Sequence, residues 1–249
     1  MKRFLNFTAL SMAVFAIAVT LSSLLTPMQA VPAPILLSQN VNFQPPPDLT
    51  APGSREGGTH RGEPCPKDLS IIPLIPKSHD GLTLGESPTF FAYVSPSSTQ
   101  VEFSLLQMLD GKGTEVYKTT FKVDTPGIVE VSIPAIGDGQ KSLEIGQRYE
   151  WSFSVACDDK DASGNYFVNG IVKRIEPQET LKNVLANPDP MARAIAYAKN
   201  GIWYETLATL AQMRRLAPND SRLRAEWTQL LQSQGLESIA DQPLVQSFE

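Results

Sequence analysis

The chain of 249 residues carries 21 Lys and Arg against 26 Asp and Glu, a net charge of -5, with two histidines and two cysteines. Phosphate binding needs a basic face, and no cluster of Lys and Arg appears in the strand-rich part, so a nucleic-acid partner is excluded and an anionic membrane surface disfavoured. Without a leader about 220 residues remain, room for one sizeable core with an appendage or for two small domains.

The first residues are Met1-Lys2-Arg3, followed by a mostly apolar run from Phe4 to Leu25 and then Thr26-Pro27-Met28-Gln29-Ala30. A positive start, an apolar middle and a small residue at the cleavage point predict an export signal over 1–30, removed after Ala30. A retained anchor is the other reading of a run this long, although Asn6, Thr8, Ser11, Thr20, Ser22 and Ser23 make it polar for a stable span. Residues 31–64 are rich in Pro, Gly, Ser, Gln and Asn, with Pro45-Pro46-Pro47 and Gly57-Gly58. Too few apolar side chains are present to offset the entropy of ordering, so a flexible or partly extended linker is expected, with a Pro-rich recognition peptide as the alternative.

Over 65–176 the apolar residues follow a period of two. Strands are expected at Ser70 to Ile75, Thr89 to Val94, Val101 to Leu109, Glu115 to Val123, Ile128 to Ile133, Arg148 to Cys157 and Tyr166 to Ile175. Turns such as Asp110-Gly111-Lys112-Gly113 and Ala162-Ser163-Gly164-Asn165, with no room for crossover helices, point to an antiparallel β-sandwich of immunoglobulin-like style. Alternation places Tyr149, Trp151, Phe153, Val155 and Cys157 on one buried face. In an exported chain, Cys157 and Cys65 are most simply joined by a disulfide, and no Cys-x-x-Cys pair or adjacent base argues for a catalytic thiol. The segment Asp159-Lys160-Asp161-Ala162-Ser163-Gly164-Asn165 follows the opening of a calcium loop, with Asp159, Asp161, Ser163 and Asn165 as oxygen ligands. Gly170 stands where the closing glutamate belongs, and a solvated hairpin tip explains the same residues without metal.

The character changes over 177–240, where Ala194, Tyr197 and Ala198, then Leu207, Leu210, Ala211 and Met213, then Leu223, Trp227, Leu230 and Leu231 fall at helical spacing. Pro188 and Pro190 open the first of three expected helices, Gly201 closes it, and Pro218 separates the second from the third, leaving 241–249 as a tail. The stretch from Ala194 to Asp220 looks like one tetratricopeptide unit, with Tyr197 at the aromatic position, Gly201 between the helices, Leu210 at a large apolar position and Pro218 at the close. Thr206 departs from the usual small alanine, and no second copy follows, so the unit must pack on something else. Trp203, Tyr204 and Trp227 either cover one side of the sandwich or, with Tyr197, form a partner-binding groove.

The blocks Gly58-Thr59-His60-Arg61-Gly62, Cys65-Pro66, Pro88-Thr89-Phe90-Phe91, Gly146-Gln147-Arg148-Tyr149-Glu150-Trp151, Cys157-Asp158 and Asn200-Gly201-Ile202-Trp203-Tyr204, in this order, resemble a family of exported proteins common in cyanobacteria, catalogued as domain of unknown function 928. The resemblance spans about residues 55 to 240, implies a periplasmic or cell-envelope setting, and implies no activity. The residues agree. His60 lies near Cys65, but a dyad there would spend the cysteine expected in the disulfide; His79 stands beside Asp80-Gly81 in an expected turn, no Gly-x-Ser-x-Gly elbow or phosphate loop is present, and no cofactor is expected. A non-enzymatic adaptor that docks another envelope or membrane protein is the leading expectation. A glycan-binding sandwich using Tyr93, Tyr117 and Tyr166 is the alternative; exposed aromatic rows would favour it, an apolar patch on the helices the adaptor.

Overall fold

In the large sheet the pattern of side chains sets the conformation. The computed structural model describes residues 40–46, 53–59, 65, 67–95, 99–134, 143–157 and 165–248. In β8 (Arg148–Val155) Tyr149, Trp151, Phe153 and Val155 are buried while Glu150, Ser152 and Ser154 are half-buried, the period-two signature of a strand with one face in the core. Antiparallel partners flank it, β9 (Tyr166–Arg174) on one side and β5 (Thr99–Leu109) on the other. The chain reverses from β5 into β6 (Lys112–Val123) through Asp110 and Gly111, at φ 50° and 74°, the mirror-image two-residue turn whose twist suits a hairpin. The far edge of β9 receives β1 (Gly53–Thr59) antiparallel and then β3 (Gly81–Thr83) parallel.

The second sheet has the order β10 (Leu244–Phe248), β7 (Gly127–Ser132), β4 (Thr89–Ser95), β2 (Ser70–Pro73), with β10 the one parallel neighbour. Its inner face meets the large sheet where the Phe90 ring lies 5.2 Å from both Phe103 and Trp151, and where Phe121 stacks on Phe248 at 3.9 Å. Its outer face is covered too: Phe91, one residue on and therefore pointing the other way, meets the Trp227 ring at 6.4 Å. That double burial explains why β4 and β7 read as nearly continuous apolar runs.

Four helices supply the cover: α1 (Glu179–Leu185), α2 (Pro190–Lys199), α3 (Trp203–Leu216) and α4 (Ser221–Ser233). Asp189 caps α2 by accepting from the Met191 amide at 2.9 Å, and Asp220 caps α4 by accepting from Arg222 at 2.8 Å. The three helices read from the sequence are α2 to α4; α1 is additional, and its Leu181 packs with Leu82 and Ile202 in a small satellite cluster. Buried side chains otherwise form one cluster from Trp151 and Phe153 through Phe90 and Phe91 to Trp203, Leu207 and Trp227. Sheets and helices therefore share a single core.

Each of the seven expected strands is present, with ends differing by a few residues, and β1, β3 and β10 are additional. Two expectations are corrected. Part of the supposed linker is structured: Val41 and Phe43 are buried, the Val41 amide donates to Glu226 Oε2 at 2.7 Å, and Gly53–Thr59 is a strand. The supposed tail forms β10. The expected signal peptide over 1–30 lies outside the described residues.

Candidate functional site

Helix α3 carries the residues that matter most at both ends. At its start Trp203 donates its indole N–H to the Leu74 carbonyl at 2.8 Å, and the Tyr204 hydroxyl accepts from Trp151 Nε1 at 2.7 Å while donating to the Ile171 carbonyl at 3.1 Å. Gly81 makes the close approach possible, since a Cβ there would lie 2.4 Å from the Tyr204 ring. Burial pushes the Tyr204 hydroxyl well above the usual phenol range, so it stays a neutral donor. One residue on, Glu205 Oε1 accepts from the Thr83 hydroxyl at 2.7 Å and from the Leu84 and Gly85 amides at 2.8 Å each, while Oε2 is buried without a partner. Burial raises the Glu205 carboxyl above its ordinary range against the pull of those donors. The cluster clasps the turn after β3 to α3 and offers no open face to a substrate.

A second buried group lies beside it. His79 is 2% exposed, with Nδ1 at 2.7 Å from the Asp80 carbonyl, its ring stacked on Phe43 at 5.5 Å and Nε2 buried without a partner. Asp80 is held by Arg148 through contacts of 2.9 and 3.0 Å. Burial lowers the His79 pKa, partly opposed by Asp80.

At the other end of α3 the structure opens. The last turn carries Arg214 and Arg215, the expected complement to the negative end of a helix dipole. Arg215 donates to Glu130 of β7, and Arg214 lies over the Trp227 ring at 5.0 Å with Nη1 buried and lacking a hydrogen-bond acceptor. Burial, and then the like charge of Arg224, lower the Arg214 pKa, while Asp241 raises it. Between this turn, Pro218 and the entry to β10 at Pro243 and Leu244 lies a cleft of about 360 Å³. Leu216, 80% exposed, separates its arginines from its proline in the chain.

Of the residues singled out by sequence, Cys65 and Cys157 are bonded, with Cα atoms 5.0 Å apart. Trp203, Tyr204 and Trp227 are fully buried, which corrects their candidacy as partner-binding residues: the hairpin has one apolar stripe, and the two sheets take it. Tyr197 is half-buried against the satellite cluster. Tyr93, Tyr117 and Tyr166 are half-buried against the core. Asp159, Asp161 and Ser163 lie outside the described residues, and Asn165 immediately precedes β9. Among the described residues no group of three or more His, Cys, Asp or Glu comes together to hold a metal. Sequence reasoning missed the cleft because Arg214-Arg215 at a helix end is indistinguishable from dipole compensation until β10 is placed beside it.

No curated protein and no solved structure matches the chain. One family model matches residues 56–244, a span that includes every strand from β2 to β9, all four helices and the first residue of β10. The chain therefore belongs to the family described as Domain of Unknown Function (DUF928).

Proposed function

We propose that the protein is an exported, non-enzymatic protein-binding module of the cell envelope, an immunoglobulin-like sandwich with one tetratricopeptide-like hairpin, which docks its partner at the C-terminal end of α3. The exposure of Leu216 carries this reading. Among the described residues the large apolar side chains left in water are Leu109, Ile145 and Leu216, all aliphatic, and Leu216 is the most exposed and falls in the chain between the cleft-lining Arg215 and Pro218. An isolated exposed leucine needs no explanation, but one flanked in the chain by residues that line a cleft with polar and apolar walls has the makeup of an interface anchor. A glycan site would instead present a row of aromatic rings, and Tyr93, Tyr117 and Tyr166 are packed against the core. The Cys65–Cys157 bond is compatible with the export expected from the first thirty residues.

The test is photo-crosslinking in envelope fractions with a crosslinker at position 216, compared with Leu216→Glu. A defined partner captured by the first and lost in the second supports the reading. A partner captured equally by both moves the interface elsewhere, and binding to a glycan array without any protein capture overturns it in favour of the sugar.

A further inference from the structure

The geometry points to the cleft between Arg214, Arg215, Pro218, Pro243 and Leu244 as a receptor for the free C-terminal carboxylate of a partner polypeptide ending in an apolar residue. This deepens the protein-binding reading and rests on it. Three observations converge. The lining combines two arginines at the end of α3 and Pro218 just after it with Pro243 and Leu244 at the entry to β10, so a ligand here must be part anion and part hydrocarbon. The volume of about 360 Å³ suits one or two residues of an extended chain. The local charge is unbalanced: Glu130 answers Arg215, Asp241 is the carboxylate near Arg214, and Arg224 adds a third guanidinium, leaving one positive charge in a chain whose net charge is -5.

One surplus positive charge calls for one negative charge. A carboxylate supplies it, whereas a phosphate, close to doubly charged at neutral pH, would leave Glu130 and Asp241 facing an excess of anion. Arg214 lines the cleft and has the fork that recognises a carboxylate; its Nη1 is buried and has no acceptor inside the protein, so a carboxylate reaches that nitrogen through a shift of the side chain. Helix-dipole compensation accounts for two arginines at the end of α3, yet it calls for no cleft beside them and no charged donor left buried and unmatched. The dipole's negative end disfavours an anion here; the arginines of that turn offset it, which requires Arg214 to be central to binding.

The probes are N-acetyl-leucine, its amide, an acetylated pentapeptide ending in leucine with a free carboxylate, and inorganic phosphate, each titrated into the full oxidised chain. The readout is the shift of the Trp227 indole and Arg214 Nε–H resonances. The proposal expects the acid to bind about tenfold more tightly than its amide, the difference one charge-assisted pair makes, and the pentapeptide acid to bind more tightly than N-acetyl-leucine. Arg214→Met, whose stem still covers the Trp227 ring, should remove the preference for acid and leave amide binding unchanged. Equal binding of acid and amide by the unaltered protein overturns the proposal without reliance on any variant. Phosphate binding more tightly than the acid also overturns it, as does N-acetyl-leucine matching the pentapeptide, which would make the cleft a small-acid site. Loss of partner capture in Leu216→Glu without an acid preference removes this proposal alone; an acid preference in a chain that captures no partner removes the protein-binding reading.

Discussion

Replacing Tyr204 with phenylalanine removes one oxygen atom from the point where α3 enters the core between the sheets. That oxygen accepts from the Trp151 indole at 2.7 Å and donates to the Ile171 carbonyl at 3.1 Å, and both Tyr204 and Trp151 are buried. The ring would stay, so no large cavity opens. The Trp151 N–H would lose its acceptor and the Ile171 carbonyl one of its donors, each at roughly 1–3 kcal/mol when buried. Tyr204→Phe is therefore expected to destabilise the protein by about 2–4 kcal/mol, well above the roughly 1 kcal/mol of a typical substitution. Equilibrium denaturation followed by both tryptophan fluorescence and far-ultraviolet dichroism measures it. Because the helices and both sheets share one cluster of buried side chains, the two probes should move together in one transition for both the parent and the variant. A double-mutant cycle with Trp151→Phe isolates the shared hydrogen bond, and the double variant should be less destabilised than the sum of the singles. A cost below about 1 kcal/mol, or helices that melt in a separate earlier transition, would refute the inter-layer argument.

The disulfide closes 92 residues of sequence separation, so Cys65→Ser with Cys157→Ser should lose about 4–5 kcal/mol in the chain-entropy model, measured as a lowered denaturation midpoint of the oxidised protein against the double variant; no free thiol should react in the denatured, unreduced chain. His79 binds its proton more weakly in the folded state than its ordinary value of 6.5, so the unfolded chain takes up a proton first as the pH falls. Stability should accordingly be unaffected by this residue above about pH 6.5 and decline below it, and thermal melts across pH 5 to 8 should flatten in His79→Phe, which keeps the stack on Phe43. Gly81→Ala would put a methyl group 2.4 Å from the Tyr204 ring, and a loss of about 1–3 kcal/mol is expected from overpacking, recovered in part when Tyr204 is also shortened.

What the sequence revealed follows the division between side-chain and backbone information. Strands β2 and β4 to β9 announce themselves because one or both faces are apolar, and β8 could be assigned face by face. Strand β1 reads Gly-Ser-Arg-Glu-Gly-Gly-Thr and has no apolar period to detect; it is held by its ladder with β9 and by Arg55, which donates to the carbonyls of Ile75 and of Gln234, the latter at 2.6 Å. Strand β10 follows a helix, pairs in parallel and stacks its Phe248 on Phe121, none of which is visible within its own five residues. The aromatic residues of α3 and α4 were legible as an apolar stripe but not by destination, because a groove for a partner and the back of the protein's own sheet demand the same spacing.

The same ambiguity decides where function can reside. A solitary helical hairpin cannot bury its stripe alone, and here the stripe is spent on both sheets: Trp227 against Phe91 of the small sheet, Trp203 against Leu74 just after β2, Tyr204 against Trp151 of the large sheet. The apolar stripe is thereby consumed by the fold, so the proposed recognition would use what the packing leaves over. The proposed site is the end of α3, where Arg215 pairs with Glu130 of β7, Arg214 lies across Trp227 and the entry to β10 lines the cleft. Arg214 meets Trp227 within the α3–α4 hairpin, but Pro243 and Leu244 join them through the parallel pairing of β10 with β7, so a site at this position is a property of the closed fold. A substitution that displaced β10 should therefore abolish the binding proposed at the cleft while leaving the buried contacts at the start of α3 in place.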